Sequence, residues 1–258
     1  MDESMTGQPP ASGGRYIFID LLRGMTLLSM IAYHICWDIV ELFGIQWAWF
    51  DGTGSYIWQQ SICWSFILLS GFCWQLGRHA LRRGLIVLIA GEIVSLVTRI
   101  ADFAEPIYFG VLTLIGMGML LLIPLNRLFR RIPPEIGLVI NLALFFVLRD
   151  AKDGFLGFER WHFARIPSEL YQNMLTAFFG FPPSYFYSSD YFPIVPWIFL
   201  YFAGYFIFTI WKRHTKVQPK QGSGNLLTAL GQHTLPVYLL HQPVIFGVLF
   251  CIFACLAH

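Results

Sequence analysis

Four ionisable side chains fall on one face of the first long apolar run. Asp20 and Arg23 open it in Ile19-Asp20-Leu21-Leu22-Arg23-Gly24, and His34 and Asp38 follow in Tyr33-His34-Ile35-Cys36-Trp37-Asp38. At 100° per residue a single helix holds all four within about 60° of one another. Ionisable groups are costly in hydrocarbon and turn toward protein or water, so this stripe is not a lipid face. Asp20 and Arg23 are three apart and can pair, while His34 and Asp38 are four apart and can hydrogen-bond. A neutral imidazole steadied by a carboxylate can act as general base toward a hydroxyl or amine, or accept an acyl group itself. Eleven helical steps place Arg23 and His34 roughly 16 Å apart. That spacing suits a long donor such as a coenzyme A thioester, its phosphates on Arg23 and its reactive end at His34. The structural alternatives are an interfacial Asp20–Arg23 pair and an Asp38 solvated at the outer rim.

Further polar groups interrupt later apolar runs. Glu92 and Arg99 are seven apart on one helix face with Ser95 between them, placed to line a substrate cavity or to form a structural ion pair. His241, in Tyr238-Leu239-Leu240-His241-Gln242-Pro243, is either a second catalytic imidazole or a buried histidine tied to a carbonyl freed by Pro236. Asp190, in Ser188-Ser189-Asp190-Tyr191-Phe192-Pro193, stands where an outer segment enters a span, as a substrate contact or as a helix N-cap.

The elements that carry these residues are membrane helices. Of 258 residues, 56% are hydrophobic and 12% charged, against about 25% charged in soluble domains. Runs able to cross ~30 Å of hydrocarbon fall near 17–43, 55–77, 82–100, 107–128, 134–149, 190–211 and 233–256. This predicts an all-α, polytopic bundle of about seven spans, one domain over 15–258 after a disordered tail over 1–14. The connections after the second, fourth and sixth runs hold Arg78, Arg82 and Arg83, then Arg127, Arg130 and Arg131, then Lys212, Arg213, Lys216 and Lys220, whereas those after the first and third hold only Arg99. The positive-inside rule then puts the N-terminus in the cytoplasm.

Residues 150–189 lie outside and are rich in aromatic residues and proline. They predict an interfacial belt or re-entrant segment, or else a lid or acceptor platform. Pro196 and Pro236 predict kinks or breaks inside their runs. A net charge of +2 with no basic block excludes a nucleic-acid footprint. Cys36, Cys63, Cys73, Cys251 and Cys255 read as apolar fillers, and no spacing indicates a metal site.

Five stretches, read in order, carry a resemblance: Asp20-Leu-Leu-Arg23-Gly24 with His34; Leu69-Ser70-Gly71-Phe72; Tyr108-Phe109-Gly110-Val111-Leu112 with Ile115-Gly116; Asp190-Tyr191-Phe192-Pro193 with Pro196-Trp197; and Leu230-Gly231-Gln232-His233 running to Tyr238-Leu-Leu-His241-Gln242-Pro243. Over residues 15 to about 245 the chain resembles the membrane proteins grouped with the heparan-α-glucosaminide N-acetyltransferase catalytic domain, which include many bacterial members. The Arg-X10-His spacing is also similar to that of membrane O-acyltransferases that modify surface sugars. The resemblance implies transfer of an acetyl group from cytoplasmic acetyl-CoA to an amino-sugar or glycan acceptor across a bacterial inner membrane. On this reading of the residues Arg23 and Asp20 serve the donor, His34, Asp38 and His241 catalysis, and Glu92, Arg99 and Asp190 the substrate. The alternative from the residues alone is a proton-coupled small-molecule transporter, and a non-catalytic membrane partner is a third. Lipid surrounds the chain in each case, and a homo-oligomer stays open.

Overall fold

The computed structural model describes residues 16–100, 106–159, 161–215 and 225–256. The expected tail over 1–14, together with Lys216 and Lys220, lies outside them. Each of the seven apolar runs is helical: α1 (Ile17–Trp37), continued by a π-helical turn at Asp38–Leu42, α2 (Thr53–Cys73), α3 (Ala80–Ile100), α4 (Val111–Phe129) and α5 (Pro134–Val147). After these come a hairpin of β1 (Phe155–Phe158) and β2 (Trp161–Arg165), then α6 (Met174–Phe179), α7 (Ile194–His214), α8 (Leu226–Gln232) and α9 (Thr234–Leu256).

Among the described residues four helices are both long and apolar enough to cross a membrane: Ile17–Leu42, Val111–Phe129, Ile194–His214 and Thr234–Leu256. The 21 residues of α2 and of α3 give each about 32 Å of length, but Gln59, Gln60 and several serines lower the hydropathy of α2, and α3 carries Arg82, Arg83, Glu92 and Arg99. α5, with 14 residues, reaches only about 21 Å, short of the ~30 Å core. Leu81, Leu85, Ile89, Ile93 and Leu96 on α3, and Leu240, Val244, Val248 and Ile252 on α9, are exposed. Apolar surface on this scale belongs against lipid. The chain is an integral membrane protein.

The chain divides into two compact units, Met1–Ile62 with Thr215–His258, and Cys63–His214, the boundary falling within α2. In the first unit, α1 crosses α8 with almost no side-chain volume between the backbones. A Cβ on Gly24 would lie 1.9 Å from the Leu227 carbonyl oxygen, and one on Gly231 would lie 1.9 Å from that of Asp20. Membrane helices, which gain no hydrophobic drive from meeting one another, associate through such small-residue contacts. Asn225 caps α8, its Oδ1 accepting the Thr228 N–H at 3.1 Å.

In the second unit α7 forms the centre, with Tyr201, Leu200 and Phe206 buried. Gly71 of α2 approaches the Tyr201 carbonyl as closely, at 1.9 Å from a built Cβ. The expected interruption at Pro196 is present, since Val195 is non-helical at φ −93°, ψ 128°. Pro236, by contrast, sits in the first turn of α9, where no intrahelical N–H is required of it, so it breaks nothing there. The segment between α5 and α7 is not one re-entrant helix. It contains the antiparallel hairpin, pairing Phe155 with Arg165 and Phe158 with Trp161, whose second strand is exposed throughout.

Candidate functional site

The buried face of α1 comprises Ile19, Asp20, Gly24, Leu27, Met30 and Tyr33, and the expected stripe coincides with it. Asp20 and Asp38 are both buried, Asp38 completely. His34 meets His241 of α9 edge to face, ring centroids 4.7 Å apart and planes at 83°. Two imidazoles more than two hundred residues apart in sequence are thus brought together inside one unit.

The hydrogen bonds fix what these rings present. His34 Nδ1 lies 2.9 Å from the Met30 carbonyl oxygen. His241 Nδ1 lies 2.5 Å from the Tyr238 carbonyl. A carbonyl only accepts, so in both rings Nδ1–H donates and the neutral ring keeps its lone pair on Nε2. The Nε2 of His241 is buried without a hydrogen-bond partner. The expected His34–Asp38 bond does not form. The Met30 carbonyl takes the ring nitrogen, and Asp38, at the start of the π turn, accepts instead from Gln242 Nε2 at 2.6 Å. Asp38 therefore ties α1 to the residue next to His241 rather than touching His34.

Asp20 likewise departs from the expected pairing with Arg23. The close α1–α8 crossing brings Gln232 Nε2 to 3.3 Å from Asp20 Oδ2. Arg23 is half-buried and makes no ion pair among the described residues. Between Arg23 and His34 the same face is filled by Leu27 and Met30, 0% and 2% exposed. Between the two ends of the stripe the ridge is therefore closed by packed side chains.

Glu92, Arg99 and Asp190 belong to the second unit. Glu92 and Arg99 are exposed and do not pair with each other. Glu92 Oε1 accepts from the Thr113 hydroxyl at 3.1 Å. The Arg99 guanidinium lies 5.5 Å from the centre of the Tyr108 ring. Asp190 is a cap, but of a different helix from the one it precedes: its Oδ2 accepts the Val111 N–H that opens α4, at 3.2 Å. Burial pushes its carboxyl up to about 6. Around it, the Ser188 hydroxyl accepts the Tyr108 N–H at 2.9 Å and donates to the Tyr108 carbonyl at 3.0 Å, and the Phe192 N–H donates to the Phe109 carbonyl at 2.9 Å.

Sequence reasoning passed over Gln232 and Gln242, although a glutamine beside a histidine in an apolar run was a readable signal. It also passed over Arg149, buried with its guanidinium 4.6 Å from the Trp197 ring centre.

The recurrent sequence stretches fall into docked pairs. The Asp20-to-His34 stretch packs on the Leu230-to-Pro243 stretch, Gly71 on α7, and Tyr108–Val111 on Ser188–Phe192. The catalytic-domain pattern of heparan-alpha-glucosaminide N-acetyltransferase matches residues 15–243, which takes in every one of these pairs. No curated protein and no solved structure matches the chain. With the match covering most of its length, the chain belongs to the heparan-alpha-glucosaminide N-acetyltransferase catalytic family.

Proposed function

We propose that the protein transfers an acetyl group from acetyl-CoA to an amino-sugar or glycan acceptor on the opposite side of the membrane, using the His34–His241 pair. The observation that carries this reading is the shared tautomer: each Nδ1 donates to a carbonyl of its own helix, so each Nε2 is left as a base or nucleophile. In the reaction the acetyl C–S bond breaks and a C–N or C–O bond forms. An imidazole Nε2 takes the proton from the attacking amine or hydroxyl and returns it to the departing thiolate. If the acetyl group rides on the protein, the same Nε2 accepts it first.

Arg23, free of ion pairs among the described residues, anchors the donor's phosphates as a charge-assisted donor, the donor's arm passing beside the ridge that Leu27 and Met30 close, and Asp20 is held by Gln232. Seven spans with a cytoplasmic N-terminus fit this assignment, the short α5 being accommodated by local thinning of the bilayer. The ends of α4 and α7 carry Arg127, Arg130, Lys212 and Arg213, as cytoplasmic ends do. In this reading the membrane is a bacterial inner membrane.

The test is steady-state transfer from radiolabelled acetyl-CoA to a panel of amino sugars by protein in lipid nanodiscs, with Arg23→Gln and His34→Asn alongside wild type. Arg23→Gln is expected to raise the donor KM and His34→Asn to lower kcat. Labelled sugar crossing the bilayer with no acetyl product would overturn the reading in favour of transport.

A further inference from the structure

At one end of the second unit a cavity of about 100 Å³ opens between the turn after α2, the end of α4, the start of α5 and the end of α7. Its lining includes Gln75, Arg130, Pro134, Tyr205, Thr209 and Arg213. The polar floor is rigid. Gln75 Nε2 donates to Thr209 Oγ1 at 2.9 Å, and the Tyr205 hydroxyl donates to Asn126 Oδ1 at 2.7 Å. Two guanidinium groups, Arg213 and Arg130 (the latter hydrogen-bonded to the Tyr205 hydroxyl), supply the cationic donors on offer. The opposing charge is Glu135, whose Oε1 is 3.5 Å from Arg213 Nη1.

Size decides the ligand class. At about 100 Å³ the cavity is well below the ~300–1,000 Å³ of ordinary small-molecule sites, a size that suits a tetrahedral oxyanion. Two arginines are a recurrent cradle for phosphate oxygens. Beside the cavity, Leu128 and Ile136 are exposed apolar side chains on α4 and α5, a surface on which an acyl chain can lie.

We propose that this cavity binds a phosphate group, with Arg130 and Arg213 as its two arms and the headgroup of an anionic phospholipid or free phosphate as its source. Glu135 is the internal competitor for Arg213, so ligand and carboxylate exclude one another there. Basic pockets between membrane helices at a positively charged face are suited to such headgroups. The proposal needs no acyl transfer and stands apart from the reading above.

The test uses the full-length protein in two arms. In the first, native mass spectrometry follows phosphatidylglycerol retained from nanodiscs of phosphatidylglycerol and phosphatidylcholine. In the second, inorganic phosphate is titrated against thermal stability in a zwitterionic detergent. Arg130→Gln and Arg213→Gln are each expected to weaken binding about five-fold, the worth of one cation at a membrane surface, and Glu135→Gln to strengthen it. That mutational pattern with phosphatidylglycerol identifies a lipid source; the same pattern with phosphate alone identifies free phosphate. Binding of neither probe, or binding indifferent to the substitutions, overturns the proposal. Should the arginine variants not fold, Glu135→Gln decides, because unchanged affinity in that variant is equally fatal.

Discussion

The Nε2 atoms of His34 and His241 are the free ends of two rings whose other nitrogens are each spent on a carbonyl one turn back in the same helix. This separates structure from chemistry at both positions. Asparagine reproduces an Nδ1 donor but has no atom at Nε2. His34→Asn is therefore expected to keep the bond to Met30 and the thermal midpoint, while acetyl transfer falls roughly 10²- to 10⁴-fold, the usual worth of a general base. Full activity in a folded His34→Asn protein would remove His34 from the reaction. His241→Asn compared with His34→Asn shows which ring acts, and a double variant no worse than either single one indicates that they act as a unit.

The crossing of α1 over α8 rests on two glycines that face opposite backbones. A methyl at Gly24 or Gly231 would overlap a carbonyl oxygen, which cannot yield as a side chain can. Gly24→Ala and Gly231→Ala are each expected to cost about 1–3 kcal/mol, read as a lowered thermal midpoint in detergent. Donor binding should weaken with it, because the same crossing seats Gln232 on Asp20. Gly247→Ala in α9, where a Cβ meets nothing within 4 Å, is the control and should not lower stability, since alanine is the better helix former.

Asp190 gives the protein a pH-dependent joint outside the spanning helices. Burial raises its carboxyl to about 6, above the ~3.9 of an unfolded aspartate, so between these values the folded chain holds a proton that the unfolded chain has released. Stability is then full below about pH 4, falls as pH rises through the window and stays lower above it, by on the order of 2–3 kcal/mol. Asp190→Asn keeps an oxygen for the Val111 N–H and cannot ionise. Thermal midpoints measured from pH 4 to 7 are expected to slope downward in wild type and to lose that slope in Asp190→Asn; parallel curves would show that the carboxyl does not titrate there.

The helices and the polar face of α1 were legible because each depends on one local period. Apolar run length gave an element at all seven places, and the 100° rotation put Asp20, Arg23, His34 and Asp38 on the face that is in fact buried. What was not legible is partner choice. His34 and Asp38 are correctly spaced to bond, yet a main-chain carbonyl and an amide from α9 win, because competition between tertiary and local acceptors leaves no mark in spacing. Asp190 has the right composition for an N-cap but serves α4 rather than its own helix, a choice made by the docking of 188–192 on 106–109. The hairpin in the outer segment was hidden by its composition. Trp161 and Phe163 are both exposed, so no alternation of buried and solvated residues announced a strand.

Asp38 and Gln242 show how a charged residue can serve a site without touching the reacting atoms. Asp38 is completely buried, one carboxylate oxygen accepts from Gln242 at 2.6 Å and the other has no hydrogen-bond partner. Since Gln242 follows His241 directly, the bond fixes the rotation of α9 that aims the second imidazole at the first. Asp38→Asn retains an acceptor for the glutamine and is expected to keep most of the transfer activity. Asp38→Leu and Gln242→Leu each leave a buried polar group unpaired, at about 1–3 kcal/mol. If Asp38 acts only by holding Gln242, the two leucine variants lose activity by similar factors and Asp38→Leu/Gln242→Leu loses little more than either, since the bond can be broken only once. If the negative charge itself is required at the imidazoles, Asp38→Asn is as inactive as Asp38→Leu. Transfer rates of the four variants, compared at equal folded fraction by size-exclusion chromatography, separate the two cases, and the observed bond to Gln242 in place of His34 favours the first.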